Sequence, residues 1–375
     1  MRLGDYVDIL NGFAFKSENY VNSGVRIIRI ANVQKGYIED SSPVIYSTES
    51  EEYIRYPLFE CDLLMSLTGN VGRVALLQKD FLPAALNQRV ACLRIKDESL
   101  LNKSFLFNFL NSDFFENKCV ESSNGVAQKN MSTEWLKDYE IPKYSIDEQV
   151  EISERLDKLS LLISLRKQQL AKLDKLVKAR FVELFGDPIL NQKSFPVYRM
   201  DEVVEFQGGS QPDKKYFEYE PTEDNIRLIQ IRDYKTDKYI TYIPKSMAKR
   251  FCTADDIMIG RYGPPIFQIL QGIEGSFNVA LMKATPKIGN KEFIRQFLKQ
   301  DCLLEYLEGL SKRTAGQDGI QMDKLKEYPF PMPPVELQEE FERFIKQTDK
   351  SKSAIQQSLE KLETLKKALT QKYFG

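Results

Sequence analysis

Two stretches of this chain carry apolar side chains at an alternating spacing of four and three. In the first, Ile152, Leu156, Leu159, Ile163, Leu170, Leu173, Val177 and Leu184 form one seam, interrupted at Arg166 and Arg180. In the second, Phe341, Ile345, Ile355, Leu359, Leu362, Leu369 and Tyr373 occupy the equivalent places. Such a spacing keeps one stripe on one helix face, so each stretch predicts a helix of about ten turns. Pro142, and Pro331, Pro333 and Pro334, precede the helix starts, where a proline ring costs little; Gly186 and Gly375 sit where a helix stops. Elsewhere "VRIIRIANV", "RVACLRI", "IRLIQIRDY" and "YITYIPKS" read as strands between Gly, Asn and Asp turns. "KSFLFNFLNSDFFENKCVE" and "KEFIRQFLKQDCLLEYLEGL" have helical spacing. The expected organisation is a mixed domain over residues 1–146, a long helix over 147–186, a second mixed domain over 187–334 and a second long helix over 335–375.

The second half repeats the first. Adding 189 carries Gly186 onto Gly375, Phe185 onto Phe374, Leu173 onto Leu362, Gln149 onto Gln338, Pro142 onto Pro331 and Tyr139 onto Tyr328. The match includes the non-helical "YEIPKYSIDEQ" against "YPFPMPPVELQ", which two unrelated Leu/Lys helices would not share. Upstream the offset drifts, as loops of unequal length require: "VRIIRIANVQKGYI" resembles "IRLIQIRDYKTDKYI", and "CDLLMSLTGNVG" resembles "DDIMIGRYGPPI".

A heptad helix taken alone signifies packing; the charges suggest more. The first helix begins acidic (Asp147, Glu148, Glu151, Glu154) and ends basic (Lys172, Lys175, Lys178, Arg180), and the second runs from Glu336, Glu339 and Glu340 to Lys366, Lys367 and Lys372. Antiparallel pairing sets each acidic start beside a basic end. Helices of roughly 38 residues would then span about 57 Å and carry one mixed domain near each end. That geometry suits a reader of two DNA half-sites, and equally a holder of two copies of a protein.

Composition narrows the chemistry. The chain of 375 residues is too long for one ordinary core, and it has no histidine, which removes the commonest general base and zinc ligand. Its 53 basic and 54 acidic side chains leave a net charge of −1, so nucleic-acid binding has to be local or shared with another subunit. Five scattered cysteines read as reduced, buried filler. No apolar run approaches the roughly 20 residues that span a bilayer, and the start "MRLGDYVDILNGF" has no export pattern, so the cytoplasm is expected and no membrane contact.

No active site is expected either. "YGPPIF" has the prolines of a methyltransferase catalytic stretch without the preceding amide or acid. Pro212-Asp213 with Asp233-Tyr234-Lys235 mimics a Mg²⁺ nuclease pattern, but the repeat sets Asn32, Val33 and Gln34 against that triplet, so half the molecule would lack the ligands. Neither a catalytic residue, a metal nor a cofactor is assigned. After each short helix comes a polar, Gly-containing stretch, "SSNGVAQKNMSTEWLKDYEIP" and "KRTAGQDGIQMDKLKEYPFP", suited to phosphates and base edges and also to any surface turn.

These doubled segments, with the Asn of "ALNQRVACL" and "SFNVALMKA" and the doubled Phe-Gly helix ends, resemble the specificity subunit of a type I restriction-modification enzyme over essentially the whole chain. The resemblance implies an α+β fold: two pseudo-repeated target-recognition domains separated by two long helices in an antiparallel coiled coil. It implies a non-catalytic subunit that binds double-stranded DNA, reading one half of a bipartite target with each domain while the helices set the spacer. It also implies docking of two copies of a DNA methyltransferase subunit, and of restriction subunits through them. A protein-interaction scaffold that does not bind DNA is the alternative. "GRYGPPIFQIL" departs from the first copy's pattern, so the two domains should read different sequences. By residue type the candidate DNA contacts are Ser66, Thr68, Asn70, Arg73, Asn87, Gln88, Arg89, Asn124, Gln128 and Lys129 in the first domain. In the second they are Arg261, Tyr262, Gln268, Asn278, Lys312, Arg313, Thr314 and Gln317.

Overall fold

The computed structural model describes residues 1–49, 51–123, 130–262, 266–311 and 319–375. The chain forms two units, one made of Met1–Gln169 with Ile355–Gly375 and the other of Leu170–Ala354. The long helices run over Ile146–Phe185 and Val335–Phe374, so each begins in one unit and ends in the other.

In the first unit, four antiparallel strands lie in the order Val7–Asn11, Val90–Ile95, Leu63–Ser66 and Val74–Leu76. A second sheet pairs Val25–Ile28 in parallel with Ala84–Leu86. The second unit repeats this: Val204–Gly208, Leu281–Pro286, Ile257–Gly260 and Gln268–Gln271 in the same antiparallel order, and Asn225–Ile229 parallel to Gly275–Phe277. The drifting repeat is therefore one topology used twice. Among the described residues three short helices follow the sheets in each unit, Lys103–Leu110, Asp113–Ser122 and Thr133–Asp138 in the first and Lys291–Leu298, Asp301–Ser311 and Met322–Glu327 in the second.

Each core is closed by the two long-helix segments of its own unit. Ile152 and Leu156 share the first core with Phe374, whose ring stands edge-on to Phe105 and Phe109. Val177, Phe181 and Phe185 share the second with Phe341 and Ile345. Within each unit the segments run antiparallel, fixed by Lys167–Glu363 at 2.9 Å in the first and Lys352–Asp174 at 2.6 Å in the second. Of the expected pairings of acidic start with basic end, Arg180–Glu340 forms; at the matching positions of the first unit Leu369 packs against the core and Glu151 pairs with Arg155 on its own helix. Exposed pairs contribute roughly 0–1 kcal/mol each, so the apolar seam carries most of the association.

One polar contact is repeated inside both units. Gln149 and Gln338, at 0% and 2% exposure, accept from the N–H of Asn102 and Asn290 at 2.9 and 2.7 Å. Each glutamine thereby locks a long-helix start to the residue that caps a short helix. Among the described residues no helix is long and apolar enough to cross a membrane. Cys92, Cys119 and Cys252 are buried, and burial pushes the Cys119 thiol up to about 12; Cys61 is exposed and Cys302 half-buried, so the expectation of buried filler fails for those two.

Candidate nucleic-acid interface

In the first unit the loop from Ser66 to Arg73 joins two neighbouring strands. Gly69 and Gly72 take φ of +70° and +80°, and a side chain on Gly72 would strike Cys119, so glycine is needed there. Ser66 is fully buried: its hydroxyl donates to the Asn70 carbonyl and accepts from the Arg73 N–H at 3.1 Å. That corrects its reading as a DNA contact, since its polar atoms close the loop from inside. Thr68 is half-buried and bridges to Asn130, and Asn70 is exposed. Arg73 is half-buried and donates from Nη1 to Gln34 Oε1 at 2.5 Å.

Asn87 and Asn278 do one job in the two units. The N–H of each donates to the end of the central strand, Ile28 O at 3.2 Å and Ile229 O at 3.0 Å. Their side-chain oxygens accept from the N–H two residues on, Arg89 at 3.4 Å and Ala280 at 3.1 Å. Gly12 and Gly209 lie so close to these asparagine carbonyls that a Cβ would come within 2.3 and 1.9 Å of them. Residue type suggests base readers; in the structure both side chains also close a local turn, because Asn satisfies a backbone donor as readily as an adenine edge. Gln88 and Arg89 beside Asn87 are exposed.

In the second unit Arg261 lies over the Tyr262 ring at 5.3 Å and donates to Val279 O at 3.4 Å. Tyr262 is 49% exposed, Gln268 is half-buried, and Asn278 is buried at 7%. Candidates Asn124, Gln128, Lys129, Lys312, Arg313, Thr314 and Gln317 lie outside the described residues. Among the described residues no carboxylate stands within ion-pair distance of Arg73, Arg89 or Arg261, as is also true of Arg29, Arg55, Arg166, Arg250 and Arg343, whereas Arg94, Arg180, Arg227 and Arg295 are paired. Uncompensated guanidinium groups on loop rims are what a DNA backbone or a guanine edge would recruit.

In the first unit the turn after the central strand also reaches the rim, where Gln34 meets Arg73. Asn32 and Asp233, buried at 4% and 6%, each accept from the N–H three residues back, Arg29 and Gln230. Asp233 of the nuclease-like triplet is thus the counterpart of Asn32 in a cap. Burial raises its carboxyl above the ordinary 3.8 despite the Gln230 N–H and the nearby Arg227 and Arg232. The Asn32 turn brings in Gln34 and Lys35, which residue type alone had passed over. Lys35 is exposed; partial desolvation by its neighbours disfavours its charge, yet its hydrogen bonds to Asp113 and Glu116 hold its pKa above the usual value.

Two α+β units of one topology, each with amides and at least one arginine without a carboxylate partner among the described residues on its loop rims, define a protein that presents one framework twice. Residues 1–175 and 192–366 each match the type I restriction modification DNA specificity domain, and the chain belongs to that family. It is 35% identical over 164 residues to the EcoAI specificity subunit of Escherichia coli, covering 42% of this chain and 27% of that relative; the chain thus spans about a quarter of the relative's length in that match. It is 24% identical over 417 residues to the EcoBI specificity subunit of the same species, covering 98% of this chain and 83% of the other. The crystal structure of the type I system S subunit from M. genitalium superposes with a TM-score of 0.60 at 17% identity, covering 100% of this chain and 95% of that one, a likeness of fold.

Proposed function

We propose that this chain is the DNA-reading and assembly subunit of a type I restriction-modification complex, acting in the cytoplasm and carrying no catalysis of its own. Each unit reads one half of a bipartite double-stranded target, and the two long helices set the unspecified spacer. The observation that carries this reading is the repetition of one topology with different rims: Arg73, Gln88 and Arg89 in one unit, Arg261, Tyr262 and Gln268 in the other. Equal frameworks with unequal rims suit two different half-sites. Leu161, Leu162 and Leu165 stand 60%, 43% and 44% exposed on the first long helix, a local apolar surface suited to a protein partner. We assign that surface to one methyltransferase subunit; a second copy docks on the other repeat by a different surface, since Lys350, Ser351 and Ala354 stand at the matching positions, and restriction subunits join through both. A net charge of −1 fits sharing of phosphate contacts with those partners.

The test is base-resolved methylation sequencing of DNA from cells that express this chain with its methyltransferase, against the methyltransferase alone. A two-part motif with a fixed gap, seen only when the chain is present, is expected. An assembled complex that yields no new motif would favour a scaffold that grips proteins.

A further inference from the structure

Behind Arg73 stands a brace. Its Nη1 donates to Gln34 Oε1 at 2.5 Å, and Gln34 Nε2 in turn donates to Ala31 O at 2.9 Å. Committing the amide nitrogen to a backbone carbonyl fixes where the amide oxygen points. The turn that carries Gln34 is itself pinned. Its N–H donates to Tyr37 O at 3.0 Å, and the Gly36 N–H donates to Val74 O at 2.8 Å on the strand that Arg73 leads into. From the other side Lys35 reaches Asp113 and Glu116 at 2.7 and 2.6 Å, in the first turn of the helix Asp113–Ser122. A carboxylate in place of Gln34 would take two guanidinium donors and compensate the charge. The amide oxygen takes one, and among the described residues no other acceptor or carboxylate meets the guanidinium.

We propose that Gln34 is a positioning residue that aims the Arg73 guanidinium at a guanine edge in one half-site, so that the pair sets the preference at that base. This rests on the DNA-reading function proposed above. Guanine is favoured over phosphate because a phosphate accepts from many directions and is served by a freely moving cation. A fixed orientation matters when a planar fork has to meet O6 and N7 together.

The experiment uses the complete methyltransferase assembly on a library of randomised target sites, read by methylation sequencing. Compared with the natural chain are Arg73→Ala, Gln34→Met, which keeps length and loses the acceptor, and Gln34→Glu, which keeps an acceptor. Arg73→Ala and Gln34→Met are expected to lower the preference for guanine at the same single position by roughly tenfold or more. The other half-site should be unchanged, which also shows each variant folded. Gln34→Glu is expected to retain selectivity there while total methylation falls, because the new charge pairs with Arg73. If Gln34→Met keeps the natural motif while Arg73→Ala relaxes it, the brace has no role. A uniform fall across all sequences in both variants would make Arg73 a phosphate contact and overturn the proposal. The absence of any motif with the natural chain would overturn the DNA-reading function itself.

Discussion

Phe374 offers a sharp test of how the first unit is closed. It lies in the last turn of a helix, where residues ordinarily fray and truncation costs little. Here it is 4% exposed, with its ring 5.6 Å from Phe105 at 75° and 5.4 Å from Phe109 at 86°. Replacing a buried Phe by Ala costs about 3–5 kcal/mol, and two edge-on ring contacts place this site toward the middle or top of that range. Taking about 4 kcal/mol, and tenfold for each 1.4 kcal/mol, Phe374→Ala should speed amide exchange in the helix Lys103–Leu110 by roughly several hundredfold. Native-state hydrogen exchange measures this directly, and Phe374→Leu should recover most of the loss. An acceleration below about tenfold would refute the claim that this ring seals the core.

Two further outcomes follow from the turns. Asn87→Ala and Asn278→Ala should each lower stability by about 1 kcal/mol in thermal unfolding while the methylated motif stays the same, since each side chain serves the Arg89 or Ala280 N–H. A changed base preference in either variant would return that residue to the recognition surface. Asp233 has its folded pKa raised above the ordinary 3.8, so the folded state keeps the proton longer and stability falls as pH rises from that value through the raised pKa. Asp233→Asn, the residue type already present at Asn32, should remove this loss. Urea midpoints at pH 3 and pH 7 should show the variant gaining on the natural chain as pH rises, and a gap that closes instead would reject it.

The framework was legible because its signals are collective. One constant offset relates Gln149, Phe185 and Gly186 to Gln338, Phe374 and Gly375, and a heptad seam repeats over many turns. Errors at single residues cannot erase such patterns. The candidate interface was less legible because its signal is residue type, and one type serves two tasks. Asn87 could read adenine or cap a turn, and the choice rests on where Gly12 and Ile28 fall in space. Ser66 suited a DNA contact by type, whereas its hydroxyl satisfies the Arg73 N–H from inside. Gln34 escaped notice because its importance comes from a contact 39 positions away in the chain. Gln149 and Gln338 did carry a usable signal: a glutamine kept at one offset in two otherwise different helix starts.

The first unit takes residues 355–375 into its core, and this has a consequence during synthesis. Its sheets leave the ribosome early, but the segment bearing Phe374 follows only after the whole second unit has been translated. At about 5–20 residues per second that delay is roughly ten to forty seconds. For that interval the nascent chain shows an open apolar notch at Phe105, Phe109 and Leu156, the kind of surface a chaperone holds. A premature stop in the last helix would therefore damage the unit made first and spare much of the one made last.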